Sequence, residues 1–378
     1  MVWIVGIGET EAVRRSPDDL RTMVEKACRA AIDDAGLNPA DIDAVVTDTG
    51  IMPLTVPMEW VSAQFGIESR FHGGISTGGA GIVGAPVLAR MLIESGMARS
   101  VLCYFGVDWG TRPGGPYAFH EMYPAKNAFE KPYGFSAQPI YFGMLAQRYA
   151  REYGMPCDYL ALIATAMREN AAVNGRGQIR QPMDEAQYCA SRMISEPLRA
   201  ADCCLISDGA GAFVMASDEI AARCRKPVRI AGCGFASEPR SAEDLFTQGE
   251  ILRTPGADLA SRRAQEQAGL SLDAMDFAQI YDCFSISCLL QLEDIGFCGK
   301  GEGMDFVRQK GITVAGGLPV NTHGGLLAHS YRLGIEHVTE AVRQLRGEAG
   351  PGQVPEARLG LVSGYSPPDY SVMILAAS

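Results

Sequence analysis

The sequence predicts an α/β protein built from two similar halves. Three segments of the first half return in the same order in the second half. The repeated pairs are 35–48 with 268–281, 72–74 with 323–325, and the predicted strands 100–105 with 358–363. Each pair alone is weak, because short glycine-flanked repeats arise easily in α/β proteins, but three pairs in order indicate a duplication. We therefore predict halves at about 1–220 and 227–378.

Length and composition set the class of protein. The chain has 378 residues, of which 47% are hydrophobic and 20% charged, and its mean hydropathy is +0.02. These values are typical of a globular protein with a large buried core. The formal net charge of -11 would repel a polyanion, and no cluster of Lys and Arg offsets it, so we expect neither nucleic acid nor an acidic membrane surface as a partner. A small-molecule ligand is expected instead.

The first half is predicted to begin with a buried strand at 2–7 and a helix at 18–35 that ends at Gly36. Further helices are predicted at 82–93 and at about 333–345. Residues 109–200 have no counterpart in the second half and form a predicted insertion, with helical periodicity at 141–172. Insertions of this length usually form lids or specificity loops over a site, although others only widen subunit contacts.

The cysteines and the N-terminus indicate a reduced, cytoplasmic protein. The eleven cysteines are scattered, and the adjacent pair Cys203 and Cys204 lacks CxxC spacing and a nearby His, which argues against disulfides and zinc. The spacing of His72, His120, His329 and His337 suggests no metal site either. The N-terminus lacks the basic start of a signal peptide, and no apolar stretch is long enough to span a membrane.

Several motifs, in this order along the chain, resemble the thiolase superfamily, and within it the sterol-carrier-protein-x thiolases. They are Val5-Gly6-Ile7-Gly8-Glu9-Thr10, residues 191–198 with Asp202-Cys203-Cys204 and Ser207-Asp208-Gly209-Ala210, Tyr281-Asp282-Cys283-Phe284-Ser285, and Asn321-Thr322-His323-Gly324-Gly325. The resemblance covers essentially the whole chain. It implies the thiolase fold, in which two duplicated βαβαβαββ halves form a five-layered αβαβα body that is usually dimeric.

The loop that holds the nucleophile in this family departs from a working thiolase. The family places a nucleophilic Cys in the loop that begins the helix after the third strand, and the matching loop here, 72–81, contains no Cys. Ser76 and Thr77 carry hydroxyls in this loop, but a hydroxyl nucleophile needs an adjacent base. We expect a glycine-rich turn that presents amide N–H groups at a helix N-terminus.

Two tyrosines replace the site histidines of the family. The His-Asp-Cys-Phe motif of the sterol-carrier-like thiolases corresponds to residues 281–284, and the Gly-His-Pro motif to 330–332. Tyr281 and Tyr331 therefore match two catalytic histidines, and chance drift would rarely introduce the same hydroxyl-bearing aromatic twice. We predict that they are catalytic. The alternative is that both only pack, with satisfied hydroxyls, as most buried tyrosines do.

The absent Cys and the paired tyrosines together resemble the bacterial steroid side-chain aldolases. Members of that group cleave a 17-hydroxy steroid with a CoA-thioester side chain into a 17-keto steroid and a short acyl-CoA. They act with a small OB-fold acyl-CoA-binding protein. The resemblance thus implies a carbon–carbon lyase for a β-hydroxyacyl-CoA, a central homodimer with an OB-fold partner, no metal, and no cofactor beyond the CoA of the substrate.

Retro-aldol chemistry defines what the site must supply. The reaction needs a base for the β-hydroxyl, hydrogen-bond donors for the enolate oxygen and a proton donor for the enolate carbon. Because an unperturbed tyrosine, with a pKa of about 10, is hardly ionised at neutral pH, we expect His323 or the glycine-loop amides to lower its pKa. We assign binding of the substrate and its enolate to His323, Gly325 and Ser76.

Two other functions stay open at this point: an acyltransferase that uses Cys283 or Ser76 as its nucleophile, and a non-catalytic subunit that binds acyl-CoA. The sequence also leaves open whether the substrate is a steroid or another bulky acyl-CoA, and whether acetyl-CoA or propionyl-CoA leaves. An aromatic-rich stretch at 109–140 suits either a large apolar substrate or a dimer contact. Its residues are Tyr117, Phe119, Met122, Tyr123, Phe129, Tyr133 and Phe135.

Overall fold

A computed structural model of the chain describes residues 1–52, 54–116, 124, 126–135, 137–156, 158–238 and 252–378. The strands are β1 Val2–Glu9, β2 Ala44–Asp48, β3 Phe71–Ile75, β4 Ser100–Asp108, β5 Met193–Ser195, β6 Leu198–Arg199, β7 Asp208–Ser217, β8 Val228–Ser237, β9 Phe277–Gln279, β10 Leu359–Ser366 and β11 Asp369–Ala376. The helices are α1 Leu20–Asp34, α2 Met58–Phe65, α3 Gly81–Glu94, α4 Gln138–Tyr153, α5 Ala161–Asn174, α6 Glu185–Ala190, α7 Asp218–Ala221, α8 Ala257–Ala268, α9 Ser285–Ile295, α10 Gly303–Lys310, α11 Gly325–Ala328 and α12 Ile335–Arg346.

Nine of the strands form one hydrogen-bonded sheet in the order β3-β2-β4-β7-β1-β8-β11-β10-β9. The first five strands come from the N-terminal half and the last four from the C-terminal half. The halves join where Trp3 and Ile4 of β1 pair with Arg229 and Val228 of β8. The N-terminal half has two parallel pairs, β3–β2 and β2–β4, and the C-terminal half has one, β9–β10; in both halves antiparallel neighbours follow. In the N-terminal half, β3 pairs with β2 as a full strand. At the corresponding place in the C-terminal half, β9 has only an isolated bridge, between Ala278 and Val320.

Alternating side chains place the two half-sheets in five layers. Along β4, Leu102 and Tyr104 face α1, whereas Val101 and Cys103 face α3 and α12. The C-terminal strands alternate in the same way between this central core and an outer core that includes α8 and α9. Because both faces of each half-sheet are covered, its strands are apolar almost throughout. The layers are therefore helix, half-sheet, central helices α3 and α12, half-sheet, helix.

A matching glycine contact marks the first strand of each half. A Cβ on Gly6 would lie 2.1 Å from the carbonyl oxygen of Ala31 in α1, and a Cβ on Gly232 would lie 2.1 Å from that of Ala264 in α8. Ala31 and Ala264 are separated by the same 233 residues as the repeat at 35–48 and 268–281. The strand–helix contact is therefore duplicated together with the sequence.

The predicted elements are found with small shifts at their ends. β1 runs to Glu9, two residues beyond its predicted end, and α1 begins at Leu20, where the Asp19 side chain accepts a hydrogen bond from the Thr22 amide. The helical tract at 141–172 is two helices, α4 and α5, because Gly154 ends α4 with a φ of 65°. The boundaries of the two halves, at about 220 and 227, stay a prediction.

The helices α4 and α5 of the insertion pack against the C-terminal half, whereas its first residues contact the N-terminal half, as where the Gly110 amide donates to Asp208 Oδ1 at 2.7 Å. The Phe142 ring in α4 stacks on Phe284 at a centroid distance of 4.3 Å. The Asn170 amide in α5 donates to the carbonyl oxygen of Val320 at 2.9 Å, and Val314 donates to its Oδ1. The insertion thus braces the loop before α11. In the described part of the chain, no helix is both long and apolar enough to cross a lipid bilayer.

Candidate active site

The main chain of Tyr281 is held on both sides just after β9. Its amide donates to Ser363 Oγ at 3.1 Å, and its carbonyl oxygen accepts from Gln291 Nε2 at 2.6 Å. Ser363 Oγ in turn donates to Gln291 Oε1 at 3.0 Å, which closes a ring of hydrogen bonds. All three residues are buried. Strand β10 and helix α9 therefore fix where the Tyr281 side chain begins.

Tyr331 lies in the loop between α11 and α12, and residues of the N-terminal half anchor this loop. The Tyr331 amide donates to Ser207 Oγ at 3.0 Å. The next residue, Arg332, is fully buried and pairs with Glu9 Oε2 at 2.7 Å. Burial raises the pKa of Glu9, but Arg343 and Arg332 outweigh this and hold it well below the usual range. The carboxylate therefore stays ionised and the loop stays tied to β1.

The two predicted catalytic tyrosines meet. The Tyr281 hydroxyl donates to the Tyr331 hydroxyl at 3.2 Å, and the rings cross at 70° with centroids 6.4 Å apart. Tyr281 is 2% exposed, whereas Tyr331 is half-buried. Two loops that are 50 residues apart in sequence thus bring two hydroxyls into hydrogen-bond contact, with the Tyr331 side nearer to solvent.

The expectation that neighbours lower the pKa of these tyrosines is wrong. Burial raises the pKa of Tyr281 and of Tyr331 well above the ordinary tyrosine value. The mutual hydrogen bond favours ionisation of Tyr331, which accepts it, and disfavours ionisation of Tyr281. Both phenols are therefore neutral at pH 7, and Tyr331 is the one of the two that can more readily give up its own proton.

His323 lies in a buried group of imidazoles. Its ring centroid is 4.8 Å from that of His329 and 5.2 Å from that of His337, and burial lowers the pKa of His323 well below the ordinary histidine value. A neutral His323 does not supply the positive charge that would stabilise a phenolate. The imidazole that packs edge-on against the Tyr281 ring is His337, which the sequence did not single out. Binding of the enolate by His323 stays a prediction.

Gly325 admits the Asp282 carboxylate. Its φ is +63°, and a Cβ there would lie 2.1 Å from Asp282 Oδ2. Asp282 Oδ1 accepts the Leu326 amide at 2.8 Å and lies 3.5 Å from His337 Nε2. The contact that the structure gives Gly325 is thus with Asp282, and its assignment to enolate binding stays a prediction.

Gly325→Ala is expected to destabilise the fold by about 1 to 3 kcal/mol beyond backbone strain, because the added methyl meets a buried carboxylate. Denaturant unfolding measures the loss. Gly347→Ala is the matched control, since Gly347 has a φ of +70° and open space around its Cβ position. Equal losses in the two variants would show that the Asp282 contact is unimportant.

The glycine loop lies directly against Tyr281. A Cβ on Gly79 would lie 2.3 Å from the Tyr281 hydroxyl oxygen and 2.4 Å from the carbonyl oxygen of Tyr365. Ser76, in the same loop, is exposed. The loop that carries the nucleophile in thiolases therefore faces the tyrosine pair here. The assignment of Ser76 to substrate binding stays a prediction.

Two thiols complete the surroundings of the tyrosine pair. The Cys204 amide donates to the carbonyl oxygen of Cys283 at 3.0 Å, and both thiols interact electrostatically with both tyrosines. Burial raises the pKa of the Cys283 thiol to about 12, so it is protonated at neutral pH and a poor nucleophile. Cys203 and Cys204 lie between the 3-10 turn Ala200–Asp202 and β7. Their proximity to Tyr281 depends on tertiary pairing, and no sequence signal shows it.

The aromatic stretch is described in part. Tyr117, Phe119, Met122 and Tyr123 lie outside the described residues. The Phe129 and Tyr133 side chains are 74% and 80% exposed, and the Phe135 ring lies 5.9 Å from that of Tyr141. Contact of these rings with a large apolar substrate, or alternatively with a second subunit, stays a prediction.

Comparisons with known proteins agree with this geometry. Residues 237–375 match the family model described as Thiolase C-terminal domain-like. The chain is 33% identical to a steroid side-chain-cleaving aldolase of Thermomonospora curvata, over 93% of this chain and 92% of the relative. It is also 33% identical to the 17-hydroxy-3-oxo-4-pregnene-20-carboxyl-CoA lyase of Mycobacterium tuberculosis, over 91% of each protein.

A solved structure described as Ltp2-ChsH2(DUF35) aldolase superposes with a TM-score of 0.91 at 32% identity, over 100% of this chain and 97% of that chain. The similarity therefore extends over both halves and the insertion.

Proposed function

Because this chain belongs to the thiolase superfamily, in the branch of the steroid side-chain-cleaving aldolases, we propose that it catalyses retro-aldol cleavage of a β-hydroxyacyl-CoA. The predicted family and fold class are confirmed by these relatives. The observation that carries the proposal is the 3.2 Å contact between the Tyr281 and Tyr331 hydroxyls, beside a glycine loop without Cys. In place of the nucleophilic Cys of a thiolase, the site thus holds two hydroxyl groups that can act in acid/base chemistry.

The neutral hydroxyl pair can move a proton without forming a free phenolate. The β-hydroxyl of the substrate gives its proton to the Tyr331 oxygen while Tyr331 gives its own phenolic proton to the α-carbon. In the same step the Cα–Cβ bond breaks, the β-carbon becomes a carbonyl, and the electron pair of the broken bond passes through the thioester enolate into the new C–H bond. Tyr281, which donates to Tyr331, is the hydrogen-bonding partner in this relay. Protons balance, and the products are a ketone and a shorter acyl-CoA.

The relatives suggest the substrate. One is named for a 17-hydroxy-3-oxo-4-pregnene-20-carboxyl-CoA and the other for cleavage of steroid side chains. We therefore propose a 17-hydroxy steroid CoA thioester as the substrate, with His323, Gly325 and Ser76 near its enolate end. The leaving group is acetyl-CoA or propionyl-CoA. The CoA of the substrate is the one non-protein group that this chemistry requires, with neither a metal nor another cofactor.

Partners follow from the relatives and from the sheet edge. The solved aldolase is named together with a DUF35 protein, and we propose that a small OB-fold partner of this kind binds here too. β3 is the terminal strand of the nine-stranded sheet, so its outer backbone groups are available to a second copy. A homodimer that binds this partner is the proposed assembly, and the cytoplasm is its proposed location.

The test is to incubate the purified chain, with and without the DUF35-type protein, with a 17-hydroxy steroid CoA thioester and to follow products by mass spectrometry. We expect a 17-keto steroid and a short acyl-CoA. The matched control is the 17-deoxy thioester, which has no hydroxyl proton to lose and should stay intact. An intact 17-hydroxy substrate under both conditions would favour a non-catalytic acyl-CoA-binding subunit.

No acyl-enzyme is expected when the chain is mixed with acyl-CoA. The glycine loop has no Cys, the Cys283 thiol is protonated, and Ser76 is exposed to water. Intact-mass measurement should show the unmodified chain. A stable adduct that maps to Ser76, Thr77 or Cys283 would instead support an acyltransferase.

A further inference from the structure

Asp48 ends β2 beneath the glycine loop, and the proposed relay does not use it. The side chain is 1% exposed. Its Oδ1 accepts the Gly50 amide at 2.6 Å, and the amides of Thr77 and Gly78 lie near the same carboxyl group and favour its ionised form. The glycine-loop amides that the sequence suggested for the tyrosines thus lie beside a carboxylate on the other side of the loop, and its Oδ2 has no hydrogen-bond partner among the described residues.

Two glycines make room for this contact. A Cβ on Gly81 would lie 1.8 Å from Asp48 Oδ2, and a Cβ on Gly50 would lie 2.7 Å from the Gly78 nitrogen. No other residue type fits at these positions without displacing the carboxylate or the loop. The Asp48 side chain and the loop backbone are therefore packed in direct contact.

The opposite side of the loop touches the tyrosine site. The built Cβ of Gly79 lies 2.3 Å from the Tyr281 hydroxyl oxygen, and that of Gly78 lies 3.0 Å from Ser366 Oγ. The backbone of 77–79 is thus the layer between Asp48 and Tyr281. A shift of the loop toward or away from Asp48 changes the space that the Tyr281 hydroxyl can occupy.

We propose that Asp48 is a positioning residue for Tyr281, and that its carboxylate, through the amides of Thr77 and Gly78, holds the glycine loop against the Tyr281 hydroxyl. The inference rests on the proposed function only for its activity measurement. The loop contact itself can be measured without substrate.

The proposal predicts a pH dependence. Burial raises the pKa of Asp48 to about 7, the nearby amides oppose this rise, and Asp369 at the start of β11 adds to it. A protonated carboxyl attracts nearby amide N–H groups less strongly than a carboxylate does, so the loop should loosen as pH falls through about 7. The free energy of unfolding depends on pH in the opposite direction. Because the pKa of Asp48 is raised in the folded protein, this group stabilises the fold at low pH, and that stability is lost as pH rises through about 7.

Hydrogen exchange of peptides covering 75–81 measures the loop contact directly. After correction for intrinsic exchange, we expect wild-type protection to rise about tenfold as pH increases from about 6 to 8, and Asp48→Asn to stay flat. At pH 8, Asp48→Asn should lower kcat by about 10²-fold, with KM within about twofold, and should lack the rise in kcat near pH 7.

Asp369→Asn is the matched control, because it removes the neighbouring charge and leaves the loop contact. This variant should keep wild-type kcat at pH 8, and the rise in kcat with pH should occur at a lower pH than in the wild type. The proposal would be overturned if Asp48→Asn kept the wild-type rise in kcat near pH 7, or if hydrogen exchange of the wild-type loop did not change with pH. The exchange result is decisive even if Asp48→Asn does not fold. Loop exchange as expected without cleavage of any substrate would count against the proposed function alone.

Discussion

Tyr331→Phe is expected to lower kcat for cleavage by about 10² to 10⁴, the usual contribution of a positioned acid/base group. The variant removes the oxygen that accepts the hydrogen bond from Tyr281 and that, in the proposed relay, takes the substrate proton. The ring stays, so the free energy of unfolding should change little. Steady-state kinetics on the CoA thioester, together with a denaturant midpoint, separate the two effects.

Tyr281→Phe should reduce kcat less than Tyr331→Phe, because it removes the supporting donor and leaves the proton acceptor in place. Tyr104→Phe is the matched control, since its buried hydroxyl donates to the carbonyl oxygen of Val56 far from the pair. This control should lose some stability and keep wild-type kcat. Wild-type cleavage by both Tyr281→Phe and Tyr331→Phe would mean that the tyrosines only pack.

Gly79→Ala is expected to abolish most of the activity and to destabilise the fold by about 1 to 3 kcal/mol. The added methyl would meet the Tyr281 hydroxyl oxygen at 2.3 Å and the Tyr365 carbonyl oxygen at 2.4 Å. The tyrosine can rotate away but the backbone carbonyl cannot, so the hydroxyl pair separates. Kinetics and a crystal structure of the variant test both consequences.

Gly352→Ala is the control for Gly79→Ala. The nearest atom to its built Cβ is the Asn174 side-chain nitrogen at 3.2 Å, which can move. This variant should retain kcat. If Gly79→Ala also retains wild-type kcat, the loop does not control the position of Tyr281, and the Asp48 proposal loses its structural basis.

The duplication and its elements could be predicted because they depend on local pattern. The repeat of 35–48 at 268–281 predicted matching units, and the structure places a 3-10 turn at Pro39–Asp41 and another at Leu272–Ala274, again separated by 233 residues. Helical and strand periodicities reflect which side of an element is buried, so they are visible in sequence before the fold is known. Tyr281 and Tyr331 were found by their positions in motifs.

The electrostatics of the site could not be predicted in this way. The expected lowering of the tyrosine pKa is reversed, because burial outweighs any stabilising donor and His323 carries no positive charge. The loop amides that were candidates for this role lie near Asp48, which is separated from Thr77 by 29 residues of sequence. Burial and contacts between residues distant in sequence are properties of the packed molecule, and the spacing of residues along the chain does not reveal either.

The amino-acid sequence by itself determined the family, the duplicated α/β architecture, the loss of the nucleophilic Cys and the identity of the two tyrosines, because each of these is a matter of residue type at a motif position. Only the tertiary structure decided that the two hydroxyls touch, that Tyr281 donates to Tyr331, that His337 rather than His323 packs on Tyr281, and that Gly79 lies against its hydroxyl. The Gly79 contact joins the two halves, and the others join separate segments of the C-terminal half; their distances are set by how α3, α12 and the two half-sheets pack together.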